Sequence, residues 1–285
     1  MAYFIDGRDC MITEWIFLGI AYAFVALRIY LHLFHLRKRL NWSEILLIAS
    51  ALDALGLIVC DTLTYQMGVM DKYESSEKLS KVDLHAELVT DAVHPKISFA
   101  SNYFYDVGLG LPKLSMLAFY WTFFDFTCHR RLRRVLWSMS AFVVACYLTS
   151  LLDDTFFCGK DVSVQWSQEK GACSVFYAQE PFILNFSLGL TCYLIIYMLP
   201  AILLLQGILE ASTGVLLVLA MGSLPILTGV VRFICLKVGT GQDNLVYVLS
   251  MVEMALAIIV ASLPGLKVSL LRDAGASEGG SKATA

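Results

Sequence analysis

An all-α, seven-helix membrane bundle is the fold class that this sequence predicts, and three observations predict it. The chain of 285 residues is 58% hydrophobic and only 16% charged, with a mean hydropathy of +0.69. Its charges are confined to short stretches between long apolar runs, as in polytopic membrane proteins. Each run holds about twenty residues or more, enough to cross a hydrocarbon core roughly 30 Å thick as a helix. Lipid offers unpaired backbone groups no partner, and the runs are too long and too uniformly apolar for barrel strands.

The seven runs are 12–36, 43–67, 97–125, 135–156, 181–206, 212–236 and 244–270. Ahead of the first, "MAYFIDGRDCMITEW" carries Asp6, Asp9 and Glu14 against a single Arg8. A cleavable signal peptide has a basic start instead, so residues 1–11 read as a short outer N-terminus. Arg37, Lys38 and Arg39 follow the first run, Arg130, Arg131, Arg133 and Arg134 follow the third, and Lys267 and Arg272 close the seventh. The positive-inside rule then predicts an N-terminus outside or in the lumen and a cytosolic C-terminus. The mixed-charge, acidic loop after the second run faces outward on this topology.

The third run carries Asp106, Pro112 and Lys113, and Pro112 frees a backbone carbonyl near Gly108. The fourth ends at Asp153 and Asp154, near the outer mouth, where they read as wet loop residues or as acids of an outward-opening cavity. Between the fourth and fifth, Cys158 and Cys173 flank a polar loop on the oxidising side. A disulfide there closes about fifteen residues and contributes on the order of 3 kcal/mol. The loop holds no histidine, which disfavours zinc. The cysteines in or beside apolar runs (Cys60, Cys128, Cys146, Cys192, Cys235) read as small buried side chains. Residues 12–270 form one membrane domain. Residues 271–285, ending in "DAGASEGGSKATA", are small and polar and predict a disordered cytosolic tail.

Ionisable residues inside a membrane are expensive unless paired or wetted, which makes them functional candidates. Asp53 and Asp61 lie in the second run, Asp106 and Lys113 in the third, Arg232 in the sixth and Glu253 in the seventh. At about 1.5 Å per residue, most fall in the outer half, where they can line one cavity opening outward. Asp106 and Lys113 share a helix face but sit two turns apart, too far for comfortable pairing. Lys113 is therefore expected to meet a carboxylate on the second or seventh run.

Four stretches carry a family likeness: "RIYLHLFHLRKRLNWSEILLIASAL" from Arg28, "KLSMLAFYW" from Lys113, the set Phe157-Cys158, Trp166, Gly171 and Cys173, and "SMVEMALAIIVASLPGLKVSLLR" from Ser250. On them the chain resembles the fungal rhodopsin-domain family of seven-helix integral membrane proteins. The family includes receptor-like sensors and proteins encoded beside secondary-metabolite pathways. The sequence departs from it in places. Tyr193 stands where the family commonly carries an Asp ahead of the pair that is Leu199-Pro200 here. Asp53 and Asp61 are additions to its pattern.

The resemblance and the charges together imply a membrane protein handling a small lipophilic molecule, in the endoplasmic reticulum or plasma membrane. The first reading is a secondary-metabolite pathway component, a cofactor-independent acid–base cyclase or isomerase of an isoprenoid or polyketide intermediate. Asp61, Asp106 and Glu253 are its candidate catalytic acids, and Tyr103, Tyr105, Lys113, Arg232 and Tyr247 its candidate ligand contacts. Acids held neutral by apolar surroundings give protons, and aromatic faces stabilise cations. The alternative is a G-protein-coupled-receptor-like sensor of a small lipophilic ligand. A G protein is expected as partner only there, because the "QGILEAST" link and the short tail offer little coupling surface. No retinal is expected, since the last run has no lysine before Lys267. No phosphate loop, zinc-type histidine pair or nucleophile elbow points to a metal or cofactor, and no nucleic-acid partner is expected beyond membrane lipid.

Overall fold

The computed structural model describes residues 5–35, 40–68, 70, 84–123, 130–167, 173–175, 178–205, 213–238 and 243–281. Arg37, Lys38 and Arg39, Gly171 and the link between the fifth and sixth runs lie outside them. Among the described residues the chain is helical, without strands. It forms α1 (Gly7–Tyr30, continued by a π turn Leu31–His35), α2 (Trp42–Gln66), α3 (Leu84–Phe123), α4 (Arg130–Phe156), α5 (Gln179–Leu205), α6 (Thr213–Val238) and α7 (Asp243–Ser281).

Six of these helices are long and apolar enough to cross a membrane. The exception is α3, which carries more polar residues. It starts at Leu84 rather than at 97, because "LHAELVTDAVHPK" is helix-compatible but too polar to register as an apolar run. It packs against α2, α4, α5 and α7. At the other end of the chain, the backbone of α7 continues to Ser281, past the point where composition predicts an irregular tail. Ala274, Ala276 and Glu278 suit a helix, and the first glycine pair comes only at Gly279.

The bundle is drawn tight by rings set against glycines. A Cβ at Gly56 would fall 2.6 Å from the Phe104 ring, and one at Gly110 or Gly222 would overlap the ring of Tyr147 or Tyr197. The α2–α3, α3–α4 and α5–α6 seams are therefore closed at these points. Pro112 leaves the Gly108 carbonyl without its helical donor, and the Ser50 hydroxyl reaches that oxygen from α2 at 3.5 Å.

Arg28 is 2% exposed and lies in the last turn of α1. Its guanidinium donates to the Ala261 carbonyl at 2.5 Å, to Ser43 Oγ at 2.7 Å and to Glu44 Oε1 at 3.0 Å. Glu44 also accepts from the backbone N–H of Asn41 at 3.0 Å, so the carboxylate that holds Arg28 caps α2. Ser115 on α3 joins through Ser43, 3.2 Å away. One buried network thus ties α1, α2, α3 and α7.

The Cys158–Cys173 disulfide forms, with the Cα atoms 5.6 Å apart. The described part of the loop that it closes folds back on α4. Gln165, 2% exposed, donates to the carbonyls of Asp154 at 2.7 Å and Thr155 at 3.1 Å, and accepts from Val175 N–H at 3.3 Å. Trp166 packs edge-on against Phe99 of α3, centroids 5.5 Å apart. At the start of the 3₁₀ turn Val162–Trp166, Asp161 accepts from the hydroxyl and backbone N–H of Ser163. Those bonds hold its carboxyl below the usual value. What they contribute is present above the ordinary carboxylate range and fades as pH falls through the lowered one.

Candidate functional site

Five of the eight sequence-predicted site residues converge on one cavity among α3, α4, α5, α6 and α7: Tyr105, Asp106, Lys113, Arg232 and Glu253. The seventh helix brings Glu253 into a tight cluster. The Tyr105 hydroxyl donates to Glu253 Oε2 at 2.6 Å, and Arg232 Nε lies 3.5 Å from the same oxygen. The Arg232 guanidinium covers the Tyr105 ring at 4.1 Å and is also 5.3 Å from the centroid of Phe182. Gly229 makes room for this carboxylate, since a Cβ there would sit 2.9 Å from Oε1.

Asp106 belongs to a second group in the same cavity wall. Asn185 of α5 donates to Asp106 Oδ2 at 3.3 Å and to Asp154 Oδ1 at 2.9 Å. Asn102, one turn before Asp106, faces the same two oxygens at 3.5 Å each. The two amides thus bring the carboxyl groups of Asp106 and Asp154 to one place. Asp154 is fully buried, which corrects its reading as a wet residue at the mouth. The loop anchored by Gln165 covers it. Neither Asp154 nor Asn185 was picked as a site residue from sequence. Asp154 sits at the end of an apolar run, where a wet loop residue competes as the reading, and Asn185 is a neutral amide in a helix, so their meeting shows only when the helices are brought together.

Lys113 departs from expectation. It makes no ion pair among the described residues. Its ammonium lies over the ring of Tyr193, 4.1 Å from the centroid. The expected tie to a carboxylate on the second or seventh run is absent because Glu253 is already engaged by Tyr105 and Arg232. Tyr193, where the resemblance predicts an acid, supplies a ring face instead of a counter-ion. Lys113→Met is therefore expected to leave the fold intact. Exchange of buried ionic groups for apolar ones of like size is often neutral or stabilising by about 1–4 kcal/mol. Thermal unfolding in detergent checks this, and a clear drop relative to wild type would show that Lys113 is paired after all.

Asp61, Tyr103 and Tyr247 lie outside this cavity, so the expected single acid-lined cavity divides. Asp61, 1% exposed, accepts from Ser101 at 3.1 Å. It neighbours Glu14, which is fully buried and takes the thiol of Cys10 at 3.4 Å. Tyr247 packs near Cys10, Met11 and Met70, and the Tyr103 ring lies tilted beside Phe99, centroids 6.1 Å apart. Asp53 lies against Gly108, with Oδ2 enclosed and without a hydrogen-bond partner among the described residues. Among the described residues no group of three or more His, Cys, Asp or Glu side chains is placed to hold a metal ion.

The fungal rhodopsin domain matches residues 27–272, nearly the whole bundle. The chain belongs to the fungal rhodopsin-domain family. With its six apolar helices, this fungal rhodopsin-domain protein is a multi-pass membrane protein. Comparison with curated proteins and with solved structures returns no match. The family match ends just short of the last turns of α7 and begins one residue before Arg28, so both the Arg28 network and the cavity of this fungal rhodopsin-domain protein lie inside the matched region.

Proposed function

We propose that the protein handles a small lipophilic molecule whose polar end enters the cavity, and that it carries out cofactor-independent proton transfer there, as a cyclase or isomerase in a secondary-metabolite pathway. The observation that carries this reading is the pair of Asp106 and Asp154, bridged by Asn185, with Asp106 in the wall of the cavity that Glu253 also lines. Two carboxyl groups brought to one place favour holding a proton between them, and Glu253 is a carboxylate fixed by Tyr105 and Arg232. A proton passes from the pair to a double bond or oxygen of the substrate. The positive charge that builds up faces the Glu253 carboxylate, and a second proton leaves to a base such as Glu253. Atoms and charge balance without a cofactor.

The cavity measures about 60 Å³. A single water needs on the order of 10–15 Å³ on this scale, so the space receives a reacting end rather than a whole isoprenoid or polyketide. The remainder of such a molecule would lie towards lipid.

The same reading takes α3 as a seventh span, places the N-terminus and the Cys158–Cys173 loop on the non-cytosolic side, and puts the bundle in the endoplasmic reticulum or plasma membrane. A disulfide at that end of the bundle supports it, because such bonds persist in oxidising compartments.

Asp106→Asn tests the function. Size and hydrogen bonding are kept and the acid is removed. In a strain expressing the variant, the metabolite that depends on the wild-type protein is expected to fall about 10²–10⁴-fold, the usual weight of a general acid, while thermal unfolding in detergent stays near wild type. Unchanged metabolite levels with unchanged stability would remove this carboxylate from the chemistry. Ligand binding without any turnover in the wild type would favour the sensor instead.

A further inference from the structure

We infer that Lys113 is a covalent site for a carbonyl compound: its amine forms an imine with an aldehyde or unhindered ketone held in the cavity. This rests on the reading of the cavity as the reacting site and names the chemical class that enters it.

Three observations carry the inference. Lys113 is 7% exposed and lines the cavity. It makes no ion pair among the described residues, and its nitrogen lies on the Tyr193 ring at 4.1 Å. The space beside it is open on the α5 side, where a Cβ built on Gly189 would be 3.6 Å from the nitrogen. A structural lysine deep in a bundle is matched to a carboxylate. Two carboxyl groups, Asp106 and Glu253, border the same cavity, yet neither is spent on Lys113. Burial without a counter-ion is how proteins keep a lysine amine nucleophilic. The ring fixes the nitrogen in position without consuming it.

The chemistry closes on groups already in the cavity. The ammonium passes one proton to cavity water. The amine nitrogen then adds to the carbonyl carbon, forming the C–N bond and a carbinolamine. The Asp106–Asp154 pair protonates the departing hydroxyl, the C–O bond breaks, and water leaves as the C=N bond forms. Ammonium and carbonyl compound thus give a protonated imine and one water, with charge unchanged and no oxidant or reductant. The protonated imine faces Glu253 across the cavity. Asp106 lies two turns from Lys113, so the proton travels through water rather than by direct contact.

The test uses the full chain in detergent, butanal as probe and sodium cyanoborohydride to reduce any imine to a stable secondary amine. Adducts of the cavity thiols Cys146 and Cys192 are not fixed by this reagent. Digestion and mass spectrometry then rank the lysines. Lys113 is expected to be butylated several-fold faster than the exposed Lys160 and Lys237, and Lys113→Arg to lose that label while labelling of the other two is unchanged. Equal or slower labelling of Lys113 in folded wild-type protein would overturn the inference, without need of any variant. Asp106→Asn separates this failure from that of the proton-transfer reading. An unlabelled Lys113 together with lost metabolite in Asp106→Asn sinks the imine and leaves acid–base chemistry standing. A labelled Lys113 with metabolite unaffected in Asp106→Asn keeps the imine and removes the acid.

Discussion

Arg28→Met is expected to cost the fold about 3–5 kcal/mol, the usual loss when one partner of a buried ion pair is removed. The side chain fits the space, so the loss comes from what remains. Glu44 would stay buried, 4% exposed, with the Asn41 N–H and a more distant His32 (3.9 Å) as its partners among the described residues. The Ala261 carbonyl and Ser43 would lose their donor as well. Thermal unfolding of the detergent-solubilised protein measures the effect. Adding Glu44→Gln removes the orphaned charge but keeps an acceptor for the α2 cap, so the double variant is expected to recover much of the loss. Strict additivity of the two changes would show that the residues are not coupled, and wild-type stability in Arg28→Met would remove the network from the account of the fold.

Glu253→Leu is expected to cost a similar amount, about 3–5 kcal/mol, and to abolish function as well. The carboxylate is the only ion-pair partner of Arg232 among the described residues, and Tyr105 donates to it at 2.6 Å. Leucine leaves both the guanidinium and the hydroxyl buried without an acceptor. Gln in place of Leu retains an oxygen for Tyr105 and is expected to lose less. Combining Glu253→Leu with Arg232→Leu removes both charges and is expected to return part of the stability without any activity. Unfolding of Glu253→Leu at the wild-type temperature would mean that the triad contributes nothing to folding.

Six helices were legible in the sequence because each is a lipid-length run apolar enough to stand out, and the bridge was legible because Cys158 and Cys173 flank a polar loop. The start of α3 was not, since hydropathy cannot see a polar helical extension. Tyr105, Asp106, Lys113, Arg232 and Glu253 could be nominated because charged and aromatic residues are conspicuous in an apolar background. Their pairing could not. Which of Asp106, Glu253 and Asp53 meets Lys113 depends on helix rotation, and a rotation of one residue, about 100°, turns a partner away. Arg28 escaped notice for a different reason: an arginine near a helix end reads as a side chain reaching for the interface, and only the close approach of α7 at Ala261 encloses it. Glu14 likewise reads as part of an acidic leader, yet it lies inside α1 with no exposed surface.

The ring sunk against Gly110 bears on how the cavity fills. Tyr147 and Gly110 both line it, at the α3–α4 seam. A molecule arriving sideways from the acyl chains at that seam meets an aromatic ring seated in backbone, and passes when the ring swings clear. The residence time of whatever enters is therefore governed there by the frequency of ring excursions, independently of how strongly the polar walls hold it.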